Sequence, residues 1–183
     1  MNWTLYIMIF LALVLVFLIT SYNQLIKLKN NRQTAFSDVD VQLNLRHDLI
    51  YQLIETVKEY VKYESTLLIQ ITQARASALN ALNISDKVLA ENKLSDAFTS
   101  FKTSVEAYPE LMANTNYIIL QNEIADIENK LTATRRFFNS ATIEYNNAVE
   151  TFPSNIIAAI FGFKKETIFE IKKIIRNEME KAP

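Results

Sequence analysis

From residue 36 onward, apolar residues recur at steps near three and four: Phe36, Val39, Leu43, Ile50, Leu53, Val57, Tyr60, Leu67, Ile71, Ala74 and Ala78. A period close to 3.5 marks a helix that buries one stripe against a partner. Nothing between residues 20 and 60 breaks such a helix, and the pattern predicts a turn around Tyr60 to Ser65, with Ser65 a candidate N-cap. A second helix is expected over 65–83. Ser85 and Asp86 read as the N-cap of a third, over 86–107, with an apolar face of Val88, Leu89, Leu94, Phe98, Phe101 and Val105. Pro109 stops it. The most regular stripe runs through Tyr117, Leu120, Ile124, Ile127, Leu131, Thr134, Phe138, Ala141, Tyr145, Ala148 and Phe152. It predicts a fourth helix from Asn114 to Thr151, ended by Pro153.

Ahead of these stripes, residues 3–20 (WTLYIMIFLALVLVFLIT) are apolar throughout and carry no charge. At about 1.5 Å per residue such a helix is long enough for the hydrocarbon core of a bilayer. Trp3, Tyr6 and Tyr22 stand near its ends, where aromatic rings favour the interface. A basic n-region and a small-residue cleavage site are both missing, so an uncleaved anchor fits better than a signal peptide. Lys27, Lys29 and Arg32 follow the segment, and the positive-inside rule then places the N-terminus outside and the rest of the chain in the cytoplasm.

Helices with one apolar stripe each can bury those stripes only against one another. The expected fold is all-α: an antiparallel four-helix bundle with long first and last helices, preceded by one N-terminal transmembrane helix. The expected organisation is an anchor over 1–21, a bundle over 22–160 and a basic amphipathic tail over 161–183. In that tail Ile168, Ile171, Ile175 and Met179 share one helical face. Such a helix either packs on the end of the bundle or lies on an anionic membrane surface or in a partner's groove.

Composition removes several chemistries. The 20 acidic and 19 basic residues nearly cancel, without the basic excess of a general nucleic-acid binder. One glycine, Gly162, leaves no room for a phosphate-cradling or dinucleotide loop. Absence of cysteine excludes disulfides, thiol nucleophiles and thiolate metal sites. His47 is the one histidine, and Asn44 stands three residues before it, so the Glu-x-x-His pairs of a two-metal bundle cannot form. No catalytic set, cofactor site or metal site is therefore expected, and the chain reads as a non-enzyme.

Arg46-His47-Asp48 looks like a cluster of reactive side chains, but neighbours on a helix point about 100° apart. Continuing the stripe from Val39 turns Arg46 towards the core, where an unpaired guanidinium is expensive. Its expected partners are Glu123 or Glu128 on the last helix, as an interhelix ion pair. The alternative is an anionic ligand held inside the bundle by Arg46. Asp40, Asn44, His47 and Tyr51 form a polar strip on the shoulder of the stripe, and Asn139 and Asn146 follow Phe138 and Tyr145 in a similar position. These six are candidate contacts with a partner or a second copy.

Several long motifs fall in one order: DVDVQLNLRHDLIYQLIETVKEY at 38–60, QARASA at 73–78, YPELMANTNYIILQNEIADIENK at 108–130, FN and YN at 138–139 and 145–146, and FP and FGF at 152–153 and 161–163. Together they resemble the LemA family. That family often has glycine where Glu59 stands and proline where Tyr51 stands. The resemblance implies a bacterial membrane-anchored helical bundle with no established biochemical activity. It implies an association with magnetosome membranes in one branch, and gene neighbours that are membrane proteases or TPM-domain proteins. It assigns no catalytic residue.

The combined expectation is a single-pass protein of the bacterial inner membrane. It touches the bilayer through residues 3–20 and acts as an interaction or scaffold protein towards membrane proteins or itself. The alternative function is a membrane-attached sensor or small-anion binder built around Arg46.

Overall fold

The computed structural model describes residues 3–60 and 65–169. Among them the chain is all-α, with six helices and no strand: α1 (Trp3–Lys58), α2 (Ser65–Leu79), α3 (Ile84–Val105), α4 (Pro109–Met112), α5 (Thr115–Glu150) and α6 (Ser154–Phe161). α1 and α5, at 56 and 36 residues, are much longer than the others.

Local chemistry sets the ends. α3 starts two residues earlier than a Ser85 cap would allow, because Asn83 is the cap. Its Oδ1 accepts from the Asp86 N–H at 2.8 Å while its Nδ2 donates to the Asp86 carboxylate at 2.6 Å. Such reciprocal capping satisfies donors that an open helix end leaves bare. Asn114 does the same for α5, accepting from the Tyr117 N–H at 3.0 Å. Pro109 opens the single turn of α4 as well as following α3. α6 closes on Gly162 in the left-handed conformation (φ 73°), with the Phe163 N–H returning to the Ala158 carbonyl at 2.9 Å.

The chain divides into two compact units. One combines Met1–Asp38 with Thr134–Ile168; Val39–Ala133 makes up the body of the other. In the first unit, residues 3–20 of α1 are exposed on all sides, and burial begins at Ser21, Leu25, Leu28 and Arg32. Leu25 packs with Ile157 and Ala158 of α6, joined by Tyr22, Ala148, Val149 and Phe163. Arg32 lies over the Phe138 ring at 5.1 Å and pairs with Glu166 at 3.2 Å, while Phe36 meets Phe138 at 5.5 Å. The chain after Gly162 is tied down by Asn146. Its side-chain amide donates to the Glu166 carbonyl at 2.9 Å and accepts the Glu166 N–H at 2.8 Å. Residues 163–169 are not helical, so the expected tail helix does not begin there. Its remainder, with Ile171, Ile175 and Met179, lies outside the described residues.

The second unit has one core. Ile50, Leu53, Ile54 and Val57 of α1 meet Ile71 and Ala78 of α2, Leu94, Phe101 and Val105 of α3, Leu111 of α4, and Tyr117, Leu120 and Ile124 of α5. α2 and α3 pack against each other across a short connection at 80–83. The apolar stripes supply most of this core. Leu89 is an exception at 62% exposed, since it lies off the row that Leu94, Phe98, Phe101 and Val105 define.

Candidate functional site

The second unit buries charge. Arg46 and Glu91 are each 1% exposed, and His47 is 3% exposed. Two adjacent rows of α1 are buried there: Val39, Leu43, Arg46, Ile50, Leu53 and Val57, and beside it Leu43, His47, Ile50 and Ile54. A helix covered on more than one side buries a broader arc than a single stripe. His47 therefore sits inside, where a one-stripe reading puts it on the shoulder.

Glu91 reaches both residues. Its Oε2 accepts from Arg46 Nη1 at 2.8 Å, and its Oε1 stands 2.6 Å from His47 Nε2. Nη2 of Arg46 donates to Ser95 Oγ at 2.9 Å, one turn further along α3. Nε of Arg46 lies 2.6 Å from Glu128 Oε1 on α5, an ion-pair contact rather than an aligned hydrogen bond. α2 adds Arg75, whose Nε donates to the His47 backbone carbonyl at 2.8 Å. The Arg75 guanidinium covers the Tyr51 ring at 5.0 Å, with Asp48 at 3.9 Å. The cluster thus ties α1, α3 and α5 through the Arg46 guanidinium and the Glu91 carboxylate, and α2 joins through Arg75.

Elementary bonding fixes the ring. A carboxylate only accepts, so His47 presents Nε2–H to Glu91. Nδ1 is buried without a hydrogen-bond partner. The Ser95 hydroxyl donates to the Glu91 carbonyl at 2.9 Å while it receives Arg46. Nη1 and Nη2 of Arg46 each donate to an acceptor within the chain, and Nε is in ion-pair contact with Glu128.

Of the two expected partners of Arg46, Glu128 is the one brought to it. Glu123 instead lines two shallow grooves of about 390 and 310 Å³, shared with Gln52; Arg46 and His47 line neither. Glu91 is the carboxylate that the α5-centred expectation missed. The signal was present: residue 91 continues the row 94, 98, 101 and 105 one step towards the N-terminus. A glutamate in one helix's buried row is the natural counterpart of an arginine in another's.

The expected contact strip is split by burial. Asp40 pairs with Lys87, Asn44 is exposed, Tyr51 is half exposed under Arg75, and His47 is inside. In the other unit Asn139 is partly buried, and Asn146 is buried on the backbone of Glu166. His47 and Asn146 thus have their partners within the chain. Among the described residues no three His, Asp or Glu side chains gather to hold a metal ion.

The sequence model of the LemA family matches residues 35–182, a span that includes every member of the buried cluster. Protein LemA of Metamycoplasma hominis is 24% identical over 159 residues, covering 86% of this chain and 73% of the relative. Magnetosome protein MamQ of Magnetospirillum gryphiswaldense is 21% identical over 181 residues, covering 85% of this chain and 66% of the relative. Magnetosome protein MamQ 1 of Paramagnetospirillum magneticum is 22% identical with the same coverage. With four fifths of its length matched by one family, the chain belongs to the LemA family.

Proposed function

We propose that this protein is a single-pass membrane-anchored interaction or scaffold protein. Residues 3–20 cross the bacterial inner membrane with the N-terminus outside, and the helical remainder faces the cytoplasm. The observation that carries the reading is the contrast along α1. Residues 3–20 are apolar on every side and exposed throughout among the described residues, whereas burial starts at Ser21 and Leu25. An apolar helix bare on all sides is stable only where water is replaced by lipid. Lys27, Lys29 and Arg32 after the span support the orientation. The magnetosome proteins among its relatives support a role on a membrane.

The buried cluster favours a scaffold over a small-anion sensor. An anion at Arg46 would have to displace Glu91, Ser95 or Glu128, which already face the three nitrogens of its guanidinium. A non-catalytic role is supported by the same geometry, since His47 Nε2 faces Glu91 and not an opening. The cluster's part is then to fix the register of the helices that present the outer surface. Partners are membrane proteins or further copies of the chain. Cross-linking in intact membranes, with a topology reporter on the C-terminus, tests this. Cross-linked partners or multimers with a cytoplasmic reporter are expected; monomer alone, or a reporter on the outer side, overturns it. A melt of the protein raised by a small anion, and not raised in Arg46→Met, would instead establish the sensor.

A further inference from the structure

The first unit carries an apolar face that is exposed among the described residues. α6 (SNIIAAIF) buries Ile157 and Ala158 against Leu25, with Tyr22 alongside. Its other side is bare: Ile156, Ile160 and Phe161 are exposed, as is Phe152 just before it, at 68% for Ile160 and 74% for Phe152. No charged residue occurs from Thr151 to Phe163. Phe152 ends the long α5 stripe, yet α5 stops at Glu150, so this ring leaves the row that would have buried it.

The level of this face is set by its contacts with α1. The Tyr22 ring meets Phe161 at 4.7 Å and Phe163 at 5.8 Å. Tyr22 and Leu25 stand two and five residues beyond Thr20, the last residue of the apolar run. At about 1.5 Å per residue they lie roughly 3 to 8 Å past its end along the helix, which is the depth of the headgroup layer on one side of a bilayer. Exposed lysines occupy the same region: Lys27 and Lys29 on α1, and Lys164 and Lys165 directly after Phe163. Apolar residues flanked by aromatic rings and lysines are the composition that this layer selects.

We propose that α6 is an interfacial membrane helix, with Ile156, Ile160 and Phe161 dipped into the leaflet from which α1 emerges. The proposal rests on the reading of residues 3–20 as a span. The anchor is then a two-part device. α1 crosses the bilayer, and α6, clasped to it at Tyr22 and Leu25, holds the juxtamembrane unit against the lipid surface.

Depth-dependent fluorescence quenching tests both parts separately. Trp3 is the chain's single tryptophan, so a Trp3→Phe background is silent. Full-length protein is reconstituted in phosphatidylcholine–phosphatidylglycerol vesicles containing phosphatidylcholine brominated either high or low on the acyl chain. Reporters are Ile160→Trp on α6, with Ile156→Trp as a second exposed site, Leu11→Trp in mid-span, and Leu89→Trp as an exposed site on α3. The expected result is loss of emission at 160 and 156 greatest with shallow bromines, loss at 11 greatest with deep bromines, and none at 89. Quenching at 11 without quenching at 160 and 156 removes the α6 proposal and leaves the span standing. Absence of quenching at 11 removes the span and the proposal with it. Lipid-insensitive emission at 160 that becomes shielded from aqueous iodide as protein density rises assigns the face to a second copy and also overturns the proposal.

Discussion

Glu91 Oε1 lies 2.6 Å from His47 Nε2, while the other oxygen of the same carboxylate takes Arg46 at 2.8 Å. One side chain of α3 therefore holds two consecutive residues of α1. Removing one partner of a buried pair costs about 3–5 kcal/mol, because a charge is stranded. Glu91→Leu should lower stability by about that much in unfolding of the full chain followed by circular dichroism. Glu128, 39% exposed, holds Arg46 from the surface side, and Glu128→Ala should cost only about 1 kcal/mol. Glu123→Gln should stay within about 0.5 kcal/mol, as expected of an exposed residue lining a groove. Adding Arg46→Met to Glu91→Leu should recover part of the loss, since no guanidinium is then left behind.

Much of this was legible in the residues. Helix positions follow from apolar periodicity, because burial of one face decides whether these helices form. The long α5 row from Tyr117 through Tyr145 is buried or partly buried at every predicted position. Two kinds of information were not legible. A row can pass through a charged residue: the spacing of Leu94, Phe98, Phe101 and Val105 continues to the buried Glu91, while the apolar Leu89 lies off it and is exposed. The number of neighbours around a helix is a tertiary property, which is why His47 read as a shoulder residue and lies in the interior. Arg46 was readable because it interrupts an otherwise apolar row, and an inward guanidinium demands a carboxylate.

Asn146 grips the backbone of Glu166 with both ends of its amide. Asn146→Ala leaves a partly buried N–H and carbonyl without partners, at a cost of roughly 1–3 kcal/mol. The effect should be local. Trypsin cleavage after Lys164 and Lys165 should accelerate in limited proteolysis of the variant, while circular dichroism shows α1 and α5 intact. Asn146→Asp should release the segment too, since a carboxylate keeps the acceptor but faces the Glu166 carbonyl without a donor.

Gly162 ends α6 at φ 73°, where a side chain is disfavoured. A Cβ built there meets nothing within 4 Å, so the cost of substitution is conformational and not steric. Gly162→Ala should therefore destabilise the α6 end by about 1 kcal/mol, and Gly162→Asn by less, because asparagine tolerates the left-handed region. Faster exchange of the Phe163 amide, which bonds the Ala158 carbonyl, is the local readout.

Burial raises the Tyr117 hydroxyl above its ordinary range, and the nearby Glu106 carboxylate pushes it the same way. Below about pH 10 the phenol is protonated in both folded and unfolded chains and contributes no pH dependence. Above that value the unfolded chain sheds the proton while the folded one keeps it. The folded state then binds more protons, so its stability falls with rising pH, and the fall levels off only once the raised folded value is passed. Tyr117→Phe removes this titration and should flatten the alkaline limb of the stability curve relative to the parent. A remaining slope is expected from Tyr145, which is raised by burial first and then by Glu166, against an opposing pull from Arg32 and a backbone hydrogen bond at Lys164. Melting temperatures of the parent and of Tyr117→Phe between about pH 9 and 12 measure the difference. Curves that stay parallel across that window would show that the Tyr117 phenol titrates alike in the folded and unfolded chains, and would count against its place in the core.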